Sequence, residues 1–410
     1  MAWKTNLRSM LALGLTLPVW AQVPLRNPPV LESPTNAEVC GDCHRGALEA
    51  WKASGHAHAM DSRLFQDTLH YTELDLGPAA REKCWSCHAP LAVATGDRGL
   101  RSKMAWEGVS CDFCHSVREV SMSGPNPQAR VEYTRIRTGP WKGETPNRHG
   151  VLASELHKSS LLCATCHEHR NANGLPVMST FSEWKASRYA KEGHECETCH
   201  MPSVGRVDLV QRIVATPTDV ERHSHCEGCH DVKAQRTPPV SGTEGDPRER
   251  GKVNVHGIEG HSTGLLARAI GAQLTAMREG DKVKVVVDVT NRGAGHYVPT
   301  GSPLRQLVLE VRADTDNGQH QVQERVYCQT VVDGEGKPVE REHMVFERGS
   351  KIAADTRLAP EEKRSETFLF DIRPGVETRI GLEFRYLYSP LQKIESRKSA
   401  TFLTMNSVVR

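Results

Sequence analysis

The sequence predicts two unlike domains: a mainly α-helical or irregular domain held together by a repeated cysteine motif, followed by an antiparallel β-sandwich domain. Two observations carry this prediction. Twelve of the 13 cysteines fall in six copies of one pattern between residues 36 and 235. Beyond residue 262 that pattern stops, and valine-rich segments of alternating polarity begin. Short alternating strands separated by Gly, Pro and Asn turns are typical of a sandwich.

The first residues have the features of an export signal. Lys4 and Arg8 precede an apolar run from Met10 to Val19, and Ala21 supplies a small residue for cleavage. The run is shorter than the ~20 residues that a membrane-spanning helix needs, so a membrane anchor is the weaker alternative. We predict a signal peptide over residues 1–21, a Pro-rich linker over 22–35, and a periplasmic or extracellular protein with no transmembrane segment after cleavage.

The repeated pattern is Cys-x-x-Cys-His. Two thiols three positions apart can reach the two vinyl groups on one edge of a haem, and the histidine that follows is carried beneath the iron. The sequence therefore predicts six covalently attached haems c, with twelve attachment cysteines and six proximal histidine ligands. The six copies are Cys40/Cys43/His44, Cys84/Cys87/His88, Cys111/Cys114/His115, Cys163/Cys166/His167, Cys196/Cys199/His200 and Cys226/Cys229/His230.

Zinc-binding, thiol-redox and disulfide roles account for the cysteines less well. Zinc ribbons use paired cysteines but do not require a histidine after each pair. A thioredoxin-like motif occurs once in a chain rather than six times. A disulfide framework suits an exported protein but gives no reason for histidine at the same offset six times. Cys328 lies outside the pattern, and we interpret it as a buried thiol on a strand.

Histidines are numerous enough to supply a second axial ligand for every haem. Of the 20 histidines, 14 remain after the proximal ones are assigned. Two imidazoles on one iron favour electron transfer, whereas an open sixth position favours substrate binding. The candidates that lie near a motif or in a Gly-rich loop are His56, His149, His157, His223, His225, His256, His261 and His296. From these we predict His56, His149, His225, His256 and His296 as distal metal ligands.

The two predicted domains cover residues 36–262 and 263–410. In the first, helical periodicity is local, over residues 49–69, 154–167 and 181–192. The tetrapeptide Trp-Lys-Ala-Ser occurs at residues 51–54 and again at 184–187, which suggests a duplicated module. If so, Tyr189 takes the place of His56 and packs against a haem or bonds a propionate. In the second domain we predict strands over residues 282–290, 304–313, 321–332, 365–372 and 378–388.

Several motifs together resemble a family of multihaem cytochromes c. These are the segment from Cys40 to His58, Glu107–His115 (EGVSCDFCH), Leu162–Glu168 (LCATCHE), and the segment from Glu183 to Pro202. They resemble the family related to the tetrahaem cytochrome of nitrifying bacteria and to the hydroxylamine oxidoreductase and octahaem tetrathionate reductase group. The resemblance implies stacked haem pairs, mostly two-histidine ligation, and His56 as a distal ligand. Six motifs, however, are neither the four nor the eight of those relatives.

The predicted function is electron transfer along a stacked haem array between redox partner proteins, either other cytochromes or a quinol-linked oxidoreductase. One alternative is an oxidoreductase that converts a small nitrogen or sulfur compound at a haem with an open position. Another is assembly into a haem filament, so oligomerisation stays open. The net charge of +2 and the lack of a basic tail give no reason to expect nucleic-acid binding.

Overall fold

The computed structural model describes residues 34–42, 44–140, 149–202, 254–258, 262–389 and 399–410. Several predictions fall outside these residues: the signal peptide, most of the linker, Cys43, and the sixth motif with its neighbour His225 (Cys226, Cys229 and His230). None of the described helices has the length and apolar character needed to cross a membrane.

Short helices dominate the described N-terminal part, and each described motif forms or adjoins one helical turn. A helical turn places residues three apart on the same face, which is where the two thiols of a motif must lie to bind one haem edge. The helices are α1 (Ala37–Gly41), α2 (Arg45–Lys52), α3 (Arg63–Leu76), α4 (Trp85–His88), α5 (Pro90–Thr95), α6 (Cys111–Cys114), α7 (Leu161–His167), α8 (Thr180–Ala186), α9 (Arg188–Lys191) and α10 (Cys196–His200). Three 3-10 helices cover Pro78–Cys84, Lys103–Trp106 and Glu155–Lys158.

The three predicted helices are each interrupted. The segment 49–69 contains the end of α2, a turn, and the start of α3, where the Ser62 hydroxyl accepts a hydrogen bond from the Phe65 amide. His56 therefore lies in a turn rather than on a helix. The segment 154–167 divides into a 3-10 helix and α7, and 181–192 breaks at Ser187. A serine directly precedes the second piece in each case, and only Ser62 caps the following helix with its side chain.

Six short strands also lie in the N-terminal part: β1 (Val117–Ser121), β2 (Gln128–Val131), β3 (Ile136–Gly139), β4 (Gly150–Ala153), β5 (His169–Arg170) and β6 (Pro176–Met178). They form three two-stranded sheets, β1-β2, β3-β4 and β5-β6. His149 lies directly before β4, and His169 is the first residue of β5.

The C-terminal part is rich in antiparallel sheet. One sheet has the order β10-β9-β14-β15 and another β13-β8-β7, with a small β11-β12 pair beside them. The bounds are β7 (Ile270–Glu279), β8 (Lys282–Asn291), β9 (Gln306–Thr315), β10 (His320–Tyr327), β11 (Gln329–Val332), β12 (Lys351–Asp355), β13 (Lys363–Asp371), β14 (Thr378–Leu387) and β15 (Ser399–Val409), with helices α11 (Thr263–Ala269) and α12 (Glu342–Arg348).

Alternation along the central strands produces the core of this part. In β8, the side chains of Val283, Val285, Val287 and Val289 are all buried, with polar residues between most of them. They join residues of β9, β13 and β14 in one apolar cluster, so the inner faces of both large sheets contribute to it. The sequence did not predict β7 and β15. Both are edge strands that are only partly buried, and edge strands need fewer apolar positions.

The expectation for Cys328 needs a correction. The predicted strand over 321–332 is two strands, β10 and β11, and Cys328 is the residue between them. Its side chain is half-buried rather than buried. The physical reason is the break in pairing at this point, where β10 belongs to the four-stranded sheet and β11 pairs with β12 instead.

The two parts pack together through a shared apolar cluster. Leu175 and Val177, at β6, contact Leu304, Val331 and Val345 of the sheet-rich part. Burial of these side chains removes apolar surface from water and so favours a fixed docking of the two parts. This docking decides which loop of the sheet-rich part reaches the motifs.

Candidate haem-binding site

Thiols of different motifs contact one another in pairs. The thiols of Cys40 and Cys111, of Cys87 and Cys166, and of Cys163 and Cys196 lie close enough to shift each other's pKa. The first motif therefore lies beside the third, the second beside the fourth, and the fourth beside the fifth. None of the ten described cysteines is in a disulfide. Within the described residues, no group of three or more His, Cys, Asp or Glu side chains could hold a free metal ion.

Cys199, the second predicted attachment thiol of the fifth motif, differs from the other described cysteines. It is exposed, whereas the other nine are half-buried. The reason is its position on α10, a five-residue helix that buries none of its side chains. Its attachment of haem stays a prediction.

The repeated Trp-Lys-Ala-Ser tetrapeptide has the same structural role in both copies. The Trp51 indole N–H donates to the carbonyl of Val109 at 2.8 Å, two residues before Cys111. The Trp184 indole N–H donates to the carbonyl of His194, also at 2.8 Å and two residues before Cys196. Each tryptophan thus ties its own helix to the start of the neighbouring motif, which supports the predicted duplication.

In four pairs of histidines, the distance between the two ring centres is nearly the same. The ring centres are 6.1 Å apart for His44 and His149, 6.2 Å for His167 and His56, 6.3 Å for His115 and His256, and 6.3 Å for His200 and His296. In each pair, one member is a predicted proximal histidine and the other a predicted distal one. The two members of a pair lie about 100 to 140 residues apart in the sequence, so only the fold brings the two rings together.

This separation has a chemical meaning. A histidine nitrogen binds a transition metal at about 2.0–2.1 Å, and the ring centre lies roughly 1.2 Å behind that nitrogen, so two rings on opposite sides of one metal have centres roughly 6.4 Å apart. The four observed separations match that value. The residues present therefore fit a haem iron with two axial imidazoles at each pair.

Backbone carbonyls fix the orientation of several of these rings. Nδ1 of His115 lies 2.6 Å from the carbonyl oxygen of Thr138. Nδ1 of His149 lies 3.0 Å from the carbonyl oxygen of Gly150. In His296, Nδ1 lies 2.8 Å from the carbonyl oxygen of Tyr297. When Nδ1 donates its hydrogen to a carbonyl, Nε2 keeps the lone pair that a metal needs.

Burial keeps the rings uncharged. Loss of hydration, followed by the charges of neighbouring histidines, lowers the pKa of His167 to about 3 and that of His56 to about 4. The same causes lower the pKa of His256 to about 4. Neutral imidazole is the form that binds a metal, so these rings are ready for coordination at neutral pH.

Comparisons with known proteins agree with this geometry. A family model described as "Cytochrome c554 and c-prime" matches residues 39–116. The fold is similar to a penta-haem cytochrome c552 from Thermochromatium tepidum, with a TM-score of 0.65 and 19% identity over 93% of this chain and 100% of that one.

These findings support a multihaem cytochrome c. Two other solved structures, a structural-genomics target called SoR45 and a PapD-like domain of human CEP192, have TM-scores of 0.17 and 0.16 and cover 34% and 35% of this chain, at 9% and 8% identity. Likenesses this weak carry no argument. The comparison with curated proteins found no match.

The second motif has different surroundings. Nδ1 of His88 forms a hydrogen bond with the carbonyl oxygen of Ala59 at 2.8 Å. The ring of Phe65 stacks face to face on the His88 ring, with centres 3.8 Å apart and planes 3° apart. Among the described residues, no histidine ring stands opposite His88 at the separation seen in the four pairs.

A buried ion pair holds the loop that carries His296. Arg357 donates to Glu183 of α8 at 2.7 Å, and both side chains are only 7% exposed. The other oxygen of Glu183 accepts from the Thr300 hydroxyl at 2.7 Å and from the Tyr297 amide at 3.2 Å. The Glu183 carboxylate thus ties both ends of the Tyr297–Thr300 segment to the N-terminal part. Neither Glu183 nor Arg357 has a sequence signal that marks it.

Two other expectations meet different outcomes. His157 lies beside His115, with ring centres 5.5 Å apart, but its Nε2 lies 3.0 Å from the carbonyl oxygen of Cys114, and it is not among the five predicted ligands. Tyr189 is expected at a haem or a propionate. Its hydroxyl donates to the carbonyl of Arg292 at 3.1 Å, and a Cβ added at Gly295 would lie 3.1 Å from the Cβ of Tyr189, so Tyr189 lies beside the His296 loop and its contact with a haem stays a prediction.

Proposed function

We propose that this cytochrome is a hexahaem electron conduit of the periplasm or the cell exterior. The observation that carries the proposal is the set of four imidazole pairs with ring centres 6.1–6.3 Å apart. When bound, haem c supplies an iron that gains and loses one electron, and two axial imidazoles keep that iron suited to transfer. His56, His149, His256 and His296 are the proposed distal ligands in these pairs, and His225 stays a prediction.

The contacts between motifs support an order along which electrons pass. The thiols of Cys40 and Cys111 meet, as do those of Cys163 and Cys196, and Cys166 of the fourth motif meets Cys87 of the second. The third and fourth motifs are close enough for Cys114 to influence the pKa of Cys163. We infer a path that runs first, third, fourth and fifth, with the second motif beside the fourth. The chain's role is to hold these sites at fixed spacing.

The proposed domains have separate tasks. Residues 36–262 attach the haems, and residues 263–410 form a β-sandwich, an inference supported by the single apolar cluster that both large sheets share. The sandwich supplies His296 to the fifth motif and covers that side of the array. The partners we propose are other cytochromes or a quinol-linked oxidoreductase. The relation of the chain to the hydroxylamine oxidoreductase group stays a prediction.

Mass spectrometry and electron paramagnetic resonance test the proposal. Protein matured in a host that attaches haem c should carry six added haem masses and begin near residue 22. Its ferric spectrum should be dominated by low-spin iron. A mass close to that of the bare polypeptide would end the proposal, and recovery of the uncleaved chain in the cytoplasm would remove the proposed location.

A second function, oxidoreductase activity at one haem, is favoured by the surroundings of the second motif. Phe65 covers the face of His88, in contrast to the paired rings elsewhere. An open iron position at this motif would suit a small nitrogen or sulfur compound. A high-spin ferric signal that disappears on addition of cyanide would support it. Replacement of Cys84 and Cys87 by Ser should then remove that signal alone.

A further inference from the structure

Strand β3 holds the proximal histidine of the third motif through one residue, Thr138. Nδ1 of His115 lies 2.6 Å from the Thr138 carbonyl oxygen. The Thr138 amide donates to the His115 carbonyl oxygen at 2.8 Å, and the Thr138 hydroxyl lies 2.9 Å from the same oxygen. Both the ring and the backbone of this histidine are therefore fixed by contacts with a single position on β3.

Two arginines hold β3 against the third motif. Nε of Arg137, on β3, donates to the carboxylate of Asp112, inside the motif, at 2.7 Å. The Asp112 side chain is fully buried and that of Arg137 is 17% exposed. Arg118, three residues after His115, donates to the Ile136 carbonyl of β3 at 2.6 Å. Hydrogen bonds to charged groups are shorter and stronger than those between neutral groups, so these contacts fix β3 to both ends of the motif.

The same strand also places a ligand of a different haem site. β3 pairs in parallel with β4, with Ile136 opposite Gly150, and the Gly150 amide donates to the Arg135 carbonyl at 2.7 Å. His149 lies directly before β4, and its Nδ1 lies 3.0 Å from the Gly150 carbonyl oxygen. Its ring faces that of His44 in the first motif. A displacement of β3 would therefore reach one ligand of the first site and one of the third.

We propose that Arg137 is a positioning residue for two haem sites: its buried ion pair fixes β3 and thereby the ring planes of His115 and His149. The inference rests on the proposed function, because it requires haem at the first and third motifs. The planes of His149 and its partner His44 are 32° apart, and those of His115 and its partner His256 are 27° apart. The angle between two axial imidazole planes affects the g values of a low-spin ferric haem. Hydrogen bonds that orient a ligand histidine also tune its metal.

The test compares holoprotein variants by electron paramagnetic resonance of the ferric state. Arg137→Gln removes the ion pair and one positive charge, and Arg137→Lys keeps the charge but has no Nε–H donor. The double variant Asp112→Asn/Arg137→Gln removes the pair at unchanged net charge, which separates an effect of position from an effect of charge. Arg130→Gln is the matched control, since Arg130 lies on the neighbouring β1-β2 sheet and is 56% exposed. His149→Ala and His256→Ala identify the signals of the first and third sites by their loss.

We expect both identified signals to shift in Arg137→Gln and in the double variant, to shift less in Arg137→Lys, and to keep their g values in Arg130→Gln. An ion pair with a merely structural role would lower stability without moving either signal.

The proposal is overturned if Arg137→Gln with its full haem mass leaves either signal where Arg130→Gln leaves it. It is also overturned if the signals shift in Arg137→Gln but not in the double variant, because the charge alone would then be responsible. Should Arg137→Gln fail to mature, Arg137→Lys decides by comparison with the same control. A native protein without low-spin haem would instead count against the proposed function.

Discussion

Glu183 joins the two parts of the chain through one carboxylate, and Glu183→Gln tests whether that junction positions His296. The substitution preserves the size of the side chain but removes its charge. The Gln side chain has a single oxygen, which can accept a hydrogen bond from the Thr300 hydroxyl or from Arg357. The other donor then faces the amide nitrogen, which cannot accept a hydrogen bond. Arg357 would keep Asp355, at 2.8 Å, as its remaining ion-pair partner.

The expected loss of unfolding free energy follows from the burial of the Glu183–Arg357 ion pair. Removing one partner of a buried ion pair costs about 3–5 kcal/mol, and the remaining Asp355 contact places the expected loss near the lower end, about 3 kcal/mol. Arg188→Gln is the matched control. It breaks another ion pair between the same two parts, Arg188–Glu361 at 3.0 Å, but those side chains are 56% and 43% exposed. An exposed pair contributes at most about 1 kcal/mol.

Two measurements on the holoprotein test the prediction for Glu183→Gln. Urea unfolding followed by circular dichroism gives the change in unfolding free energy. Electron paramagnetic resonance reports whether one haem has lost an axial ligand, and we expect a new high-spin signal in Glu183→Gln only. Equal destabilisation by Glu183→Gln and Arg188→Gln would refute the energetic reasoning. Destabilisation without a change of spin state would refute the claim that Glu183 positions His296.

Three further outcomes are expected. His56→Ala should convert one haem to high spin, detected by electron paramagnetic resonance, whereas His58→Ala should not, because His58 is 54% exposed and bonds Asp61 at 2.8 Å. Burial raises the pKa of Glu107 to about 7 from an ordinary 4.5, so the folded state binds the extra proton between these values and stability falls as pH rises from about 4.5 to 7. Urea midpoints measured across that range should be flatter in Glu107→Gln, and an unchanged slope would contradict this account. Cys328→Ser should leave the added haem mass at six equivalents, and a lower mass would place Cys328 in haem attachment.

The contacts of His56 show where sequence reasoning stops. His56 follows the first motif closely and is predicted as a distal ligand, yet its ring faces His167 of the fourth motif rather than His44. His149 faces His44 instead. Proximity along the chain therefore indicates which histidines are available but not which motif each one faces, because turns such as the one at residues 53–62 redirect the chain.

What the sequence determined by itself is local. Cysteines three apart with histidine next to the second define an attachment site within a single helical turn, and alternating valines define strand β8, because both patterns depend only on the geometry of consecutive residues. The tertiary structure decided which rings meet, how thiols of different motifs pair, that Cys199 is exposed, and that Glu183 and Arg357 form a contact across the two parts. Those features depend on the packing of segments up to about 170 residues apart in the chain, and a buried charge has no marker in the sequence until its partner is known.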